Sequence, residues 1–177
     1  LTGLANRAWL DSRLEAALSE EDAASHGALL WLHLHELQAI NNALGHERCD
    51  ALLRDMADGW RTALADHHER VAARPAGGEF LLLAPGLDAA GARALGEALM
   101  TRLATLLDSQ YGLRGNYLHL GIALYHHSQT ATEVREQCEQ ALLAAVASAD
   151  NAVVVQDVPA GRSEVLPWQS LLEQGLS

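Results

Sequence analysis

Arg74-Pro75-Ala76-Gly77-Gly78-Glu79-Phe80 is the stretch that decides the fold of this chain. His68–Arg74 before the turn residues and Glu79–Ala84 after them both read as short strands. Between them, Pro75 to Gly78 make a turn signal. Paired glycines reach positive φ at little steric cost, so the pattern predicts a β-hairpin with its tip at Gly77-Gly78. Upstream, Leu53, Met56, Trp60 and Leu64 recur at helical spacing. Before them lies a shorter helix carrying Leu37, Ile40 and Leu44, which Gly45 can close. Ala28–His35 is apolar and aromatic and reads as a buried strand, and Asn6 can cap a first helix with Leu10, Leu14 and Leu18 on one face.

Downstream, Asp88 can cap a helix carrying Leu95, Leu99, Leu103 and Leu106. Tyr117–Tyr125 is the next strand. Thr130 and Glu133 have capping-box spacing ahead of Val134, Cys138 and Leu142, and Ala152–Gln156 is a closing strand. The central elements run β-α-β-β-α-β, so an α+β fold with a ferredoxin-like core is expected, with an extra N-terminal helix. That topology puts the first strand between the hairpin and the strand at 117–125. Its C-terminal end then lies beside the hairpin turn.

Residues 1–156 are expected to form one domain. Asp157–Pro167 holds two prolines and reads as a linker. Pro167 can open a short linker helix with Trp168, Leu171, Leu172 and Leu176 on one face, so 157–177 is expected to lead onward to another domain. The chain has 177 residues, 49% of them apolar and 20% charged, with a net charge of −11. That acidity repels phosphate backbones, which argues against nucleic acid as a partner. No apolar run approaches the roughly 18 residues of a membrane helix, so this stretch is not expected to span a membrane itself. The first residue is Leu1 and no signal-peptide pattern precedes the domain, which suggests a piece of a longer protein. The two cysteines, Cys49 and Cys138, fall within apolar helical patterns, as core residues of a cytoplasmic protein do.

Three segments together resemble the GGDEF, or diguanylate cyclase, family. Leu1-Thr2-Gly3-Leu4-Ala5-Asn6-Arg7 is similar to its opening L-T-G-L-x-N-R. Ile40-Asn41-Asn42-Ala43-Leu44-Gly45-His46-Glu47-Arg48-Cys49-Asp50 is similar to I-N-D-x-x-G-H-x-x-G-D, and Ala76-Gly77-Gly78-Glu79-Phe80 stands at the signature itself. The resemblance spans about Leu1 to Val154. It implies a nucleotidyl cyclase or palm-like fold, whose metal site lies where the first strand ends beside the hairpin.

The resemblance also implies what is missing. Family members hold two magnesium ions with carboxylates, one at the end of the first strand and one at the third signature position. This chain has His33 and Gly78 there. Magnesium demands hard oxygen ligands, which neither residue supplies. The family's phosphate-binding cations correspond to Gln38, Val146 and Asp150. The R-x-x-D motif that binds cyclic di-GMP corresponds to His67-His68-Glu69-Arg70, with both key residues changed. Asn41 and Asp50 keep the guanine-reading pair, although capping and connecting the helices around Gly45 would equally explain them. Glu79 keeps a residue that supports the transition state in active members, and Phe80 reads as core.

No intact catalytic set, metal or cofactor is therefore expected, and the chain reads as a degenerate, non-enzymatic GGDEF domain. It is similar to the GGDEF part of LapD-type GGDEF–EAL receptors, which are inner-membrane proteins that sense cyclic di-GMP and control biofilm adhesion. The resemblance implies a cytoplasmic regulatory domain of such a protein, a downstream EAL domain as partner, an upstream HAMP or other helical signalling segment, and a homodimer. Two alternatives stay open. One is an active cyclase with atypical ligands, using GTP and Mg2+. The other is a GTP-binding regulator of an EAL phosphodiesterase. His33 and His35 share a strand face and His119 lies on the next strand, a set able to hold zinc. Nine histidines, including the pairs His67-His68 and His126-His127, instead suggest general enrichment, and no metal is expected.

Overall fold

The side-chain oxygen of Asn6 accepts the Trp9 N–H at 2.8 Å. This cap starts α1 (Arg7–Ser19), which buries Leu10, Leu14 and Leu18. A cap of this kind contributes about 1 kcal/mol. The computed structural model describes residues 3–19, 26–148 and 151–157. After α1 come β1 (Gly27–Leu34), α2 (Leu37–Leu44), α3 (His46–Arg61), β2 (Val71–Ala73), β3 (Glu79–Pro85), α4 (Ala89–Tyr111), β4 (Leu118–Tyr125), α5 (Ala131–Val146) and β5 (Ala152–Asp157). The fold is α+β, with a five-stranded sheet in the order β2-β3-β1-β4-β5. β1 is antiparallel to β3 and β4, and β5 runs parallel to β4 at the edge. The first four strands form the expected ferredoxin-like arrangement.

β1 reads as an unbroken apolar run because both of its faces are covered. Ala28, Leu30, Leu32 and Leu34 join the core made with α3 and α4, where Met56, Trp60 and Leu103 are fully buried. Leu29 faces the other way, into the core made with α1 and α5. Trp60 donates its indole N–H to the Leu81 carbonyl at 2.9 Å, which satisfies the one polar atom of a fully buried ring. On the second face, the Cys138 thiol lies 3.2 Å from the Leu29 carbonyl and 3.4 Å from that of Gly121. Burial pushes this thiol's pKa up, as suits an inert core cysteine. Cys49 is buried as well.

Both expected caps of the second half are present. Asp88 accepts the Gly91 N–H at 2.8 Å, and Thr130 and Glu133 form a reciprocal capping box. Ala5 bridges to Ala73, and its hydrogen bonds to Ala72 and Arg74 cover part of the exposed edge of β2.

Three expectations need correction. The strand predicted at 68–74 is only Val71–Ala73. Asp66 takes a left-handed φ of 62°, and the His67 and Arg70 N–H groups close turns onto Leu64 and His67, so residues 66–70 cannot extend. The helix carrying Leu53, Met56 and Trp60 ends at Arg61, and Leu64 sits in a 3-10 turn, Thr62–Leu64. The first strand ends at Leu34, one residue short of His35. The proposed helix after Pro167 lies outside the described residues, as does the rest of 158–177.

Gly121 sets how closely α5 approaches β4. A Cβ there would collide with the Leu142 backbone nitrogen and stand 2.7 Å from the Cys138 carbonyl. Gly121→Ala must therefore push α5 off the sheet. Urea denaturation is expected to show a loss of about 2 kcal/mol or more, the range typical of overpacking against backbone. An unchanged midpoint would mean that α5 does not seat as described.

Candidate functional site

The end of β1 brings the chemistry together. His33 pairs in register with Glu79 of β3 on one side and His119 of β4 on the other. Side chains alternate along a strand, so these three residues share the α1/α5 face of the sheet. One step on, the Leu34 N–H donates to the Gly78 carbonyl at 2.8 Å, and the His35 N–H donates to the Tyr117 carbonyl at 2.8 Å. The strand end is thus clamped from both neighbours.

The hairpin turn is held from within. The Glu79 N–H reaches the Ala76 carbonyl at 3.0 Å, and the Arg74 Nε–H reaches the Gly77 carbonyl at 2.9 Å. The two glycines play different parts, contrary to expectation. Gly77 alone has a positive φ, +53°. Gly78 supplies clearance instead, because a Cβ there would stand 2.7 Å from the Leu34 carbonyl oxygen and 3.0 Å from the Leu34 Cβ. Phe80 is fully buried, with its ring 6.3 Å from that of Trp60.

The histidines form a cluster of tilted and edge-on rings. The rings of His33 and His35 lie 4.0 Å apart between centroids, and those of His35 and His119 lie 4.5 Å apart. Burial lowers the pKa of His33, partly offset by Glu79. Burial, then the neighbouring His33 and His119, lower that of His35 to about 4. Burial and His33 lower that of His119. At neutral pH this end of the sheet therefore carries neutral rings beside the Glu79 carboxyl.

The other described positions fall on α2, α3, α5 and the turns before β2. Gln38 is exposed on α2, and Val146 is 36% exposed at the end of α5, with Leu143 at 60%. Asp150 lies outside the described residues, as do Leu1 and Thr2. Asn41 and Asp50 sit on α2 and α3 on either side of Gly45. Asn41 offers its backbone carbonyl to the Gly45 N–H, and Gly45 is the N-cap residue of α3. In the 67–70 segment, His67 Nδ1 lies 3.2 Å from Glu69, and Arg70 donates to the Ala63 carbonyl at 2.8 Å. Sequence reasoning missed the Leu34–Gly78 contact. The doubled glycine was the available signal, since one glycine is enough for the turn.

The sheet order, the hairpin and the helix corner at Gly45 define a cyclase-type α+β domain. The family model for the diguanylate cyclase GGDEF domain matches residues 1–152, and the chain belongs to that family. The chain is 32% identical over 148 residues to the cyclic di-GMP phosphodiesterase PdeR of Escherichia coli K12, covering 82% of this chain and 22% of that protein. It spans less than a third of the length of this and other curated relatives. Among solved structures it is similar to the active GGEEF domain of a diguanylate cyclase from Vibrio cholerae, with a TM-score of 0.74, 22% identity and coverage of 86% and 97% of the two chains. It is also similar to the Vibrio cholerae LapD S helix-GGDEF-EAL structure bound to c-di-GMP, with a TM-score of 0.72, 21% identity and coverage of 99% and 41%. At these identities the two structures establish the fold.

Placing a carboxylate at position 78 meets the Leu34 backbone. Gly78→Asp is expected to lower Tm by about 3–10 °C, the equivalent of an overpacking cost of roughly 1–3 kcal/mol. Ala76→Asp, at an exposed position of the same turn, should leave Tm within about 2 °C. Equal effects of the two variants in a thermal melt would contradict the close contact at Gly78.

Proposed function

We propose that this domain is a catalytically silent GGDEF module that transmits or restrains a signal within a larger cyclic di-GMP protein. One observation carries the proposal. At the end of β1, where the family resemblance places two metal-binding carboxylates, the chain has the His33 imidazole and a Gly78 backbone packed against Leu34. Two-metal catalysis of phosphoryl transfer needs hard anionic ligands to hold the ions and an electropositive surround for the phosphates. Neutral imidazoles and a glycine give neither. The exposed Gln38 and Val146 leave the phosphate positions on α2 and α5 without cations. Glu79 remains, but a transition-state carboxylate has no role without the ions it works beside.

The likeness to PdeR and to the LapD GGDEF–EAL structure, both named for cyclic di-GMP, supports a place in that signalling system. In this proposal an EAL domain of the same protein is the partner, the domain faces the cytoplasm and the whole protein is anchored in the inner membrane. A helical segment such as a HAMP domain precedes it, and the domain works as a homodimer. Among the described residues, no helix is long and apolar enough to cross a membrane.

A second reading, a GTP-sensing regulator of an EAL phosphodiesterase, is favoured by the Asn41–Asp50 pair. Asn41 is half-buried on α2 and Asp50 is exposed on α3, on either side of Gly45, which suits an amide and a carboxylate contact to a guanine base.

Incubation with GTP and either Mg2+ or Mn2+ tests catalytic silence. No cyclic di-GMP above the protein-free control is expected over hours. Product formation that disappears in Glu79→Ala would show an active cyclase and overturn the proposal.

A further inference from the structure

The outer face of α3 and α4 carries a groove that the candidate site does not use. It has a volume of about 1070 Å3 and lies on the opposite side of the sheet from α1 and α5. Half-buried Leu95 and Leu106 of α4 line it beside the buried Leu99 and Leu103, and Gly59 and Ala63 face them. Gly59 keeps the helices close, since a Cβ there would stand 3.0 Å from a Leu103 methyl. The carboxylates of the groove already have partners. Asp55 accepts the Tyr111 hydroxyl at 2.6 Å, Asp58 meets Arg61 at 2.6 Å and Glu97 meets Arg93 at 3.6 Å. What remains on offer is apolar surface at helical spacing, the kind that receives the apolar face of an amphipathic helix.

Residues 166–176 carry such a face in sequence. Trp168, Leu171, Leu172 and Leu176 recur at helical spacing, with Gln169, Ser170, Glu173 and Gln174 between them. Their starting point favours this groove. β5 ends at Asp157, whose register partner Leu124 pairs in turn with Ala28, and the adjacent Gly27 pairs with Pro85 just before α4. The chain therefore leaves the sheet at the end where α4 begins. Leu95 stands about 9 Å along α4 from Ala89, and residues 158–165 span up to roughly 26–29 Å when extended. That length crosses the width of α4, about 10–12 Å, and reaches the near end of the groove with slack. α5 also exposes Leu143 and Val146, but that part of α5 lies toward the start of β5, at the opposite end of the sheet. We propose that the α3–α4 groove is the docking site of residues 166–176 of this same chain, with Trp168, Leu171 and Leu172 entering it. A short linker holds such a segment at an effective concentration of the order of 1 mM, so a contact with an intrinsic Kd of about 100 μM keeps the groove about nine-tenths occupied. Docking and release of this latch is a physical route by which the domain transmits or restrains a signal. That use rests on the proposed function, whereas the docking itself does not.

Nitroxide broadening in the NMR spectra of the isotope-labelled 177-residue chain tests it. Cys49 and Cys138 are 4% and 0% exposed, so the nitroxide goes to an introduced cysteine. On Glu97→Cys, at the groove rim, it should remove most of the intensity of the Trp168 indole and the Leu171 and Leu172 amide signals. On Glu136→Cys, exposed on α5 across the sheet, it should leave them at full intensity. Leu171→Asp/Leu172→Asp should restore the Trp168 indole signal under the Glu97→Cys nitroxide and shift the amides of Leu95 and Ala98. Ala98→Glu, at an exposed position of the groove, should restore it from the other side. Circular dichroism confirms that each variant folds, and the Leu171→Asp/Leu172→Asp variant keeps the test valid if the groove variant does not, because it changes no residue of the described domain. A mixture of nitroxide-bearing chain without isotope and isotope-labelled chain without nitroxide should show no broadening. Full-intensity Trp168, Leu171 and Leu172 signals under the Glu97→Cys nitroxide, equal losses from both nitroxide positions, or a loss that survives Leu171→Asp/Leu172→Asp would overturn the inference. Broadening in the mixture would overturn it too, by making a second copy the occupant.

Discussion

Every feature of the candidate site depends on how β1 is held. It is the central strand, hydrogen-bonded to β3 and β4 along its length and covered on both faces. Its leucines have no register in which they could slip without exposing one apolar face and opening two ladders at once. That rigidity fixes His33 between Glu79 and His119, and it presents the Leu34 backbone to the hairpin turn. The Leu34 N–H to Gly78 carbonyl bond then seats the turn against the strand end. Gly78 is the residue that allows this seating, because any side chain there would meet the Leu34 carbonyl.

Much of this was legible in the sequence. The turn glycines, the caps at Asn6, Asp88 and Thr130, and the helical stripes placed the elements to within a few residues, because those signals act locally. Where the prediction failed, a tertiary partner or a local turn decided the outcome. Residues 66–70 have strand-like neighbours, but Asp66 turns the chain and Arg70 anchors back on Ala63. The division of labour between Gly77 and Gly78 could not be read from the turn alone. One answers a φ requirement within the turn, and the other answers a contact with a strand more than 40 positions away. The histidine cluster was legible as three residues on one face. The burial of His119 and its unpartnered nitrogens needed the packed structure.

The electrostatics of this end follow from the same placement. A magnesium–nucleotide site gathers carboxylates for the ions and cations for the phosphates. Here the strand end carries three imidazoles held toward the neutral form chiefly by burial, with His33 adding to the effect on His35 and His119, and the end of α5 exposes Leu143 and Val146. In the proposed function, charge-assisted phosphate contacts of roughly 1.5–3 kcal/mol each are lost, and losing several would outweigh what two base contacts from Asn41 and Asp50 could restore. In the proposed function, the domain keeps the cyclase architecture as a folded body for domain contacts.

The central claim is that this sheet end no longer holds a metal–nucleotide complex. Titration of GTP with Mg2+ into the protein at pH 7.5, followed by calorimetry or amide chemical shifts, tests it most directly. The account expects no saturable binding, or binding no tighter than about millimolar. Micromolar, Mg2+-dependent binding that is lost in Asn41→Ala and Asp50→Ala would contradict it.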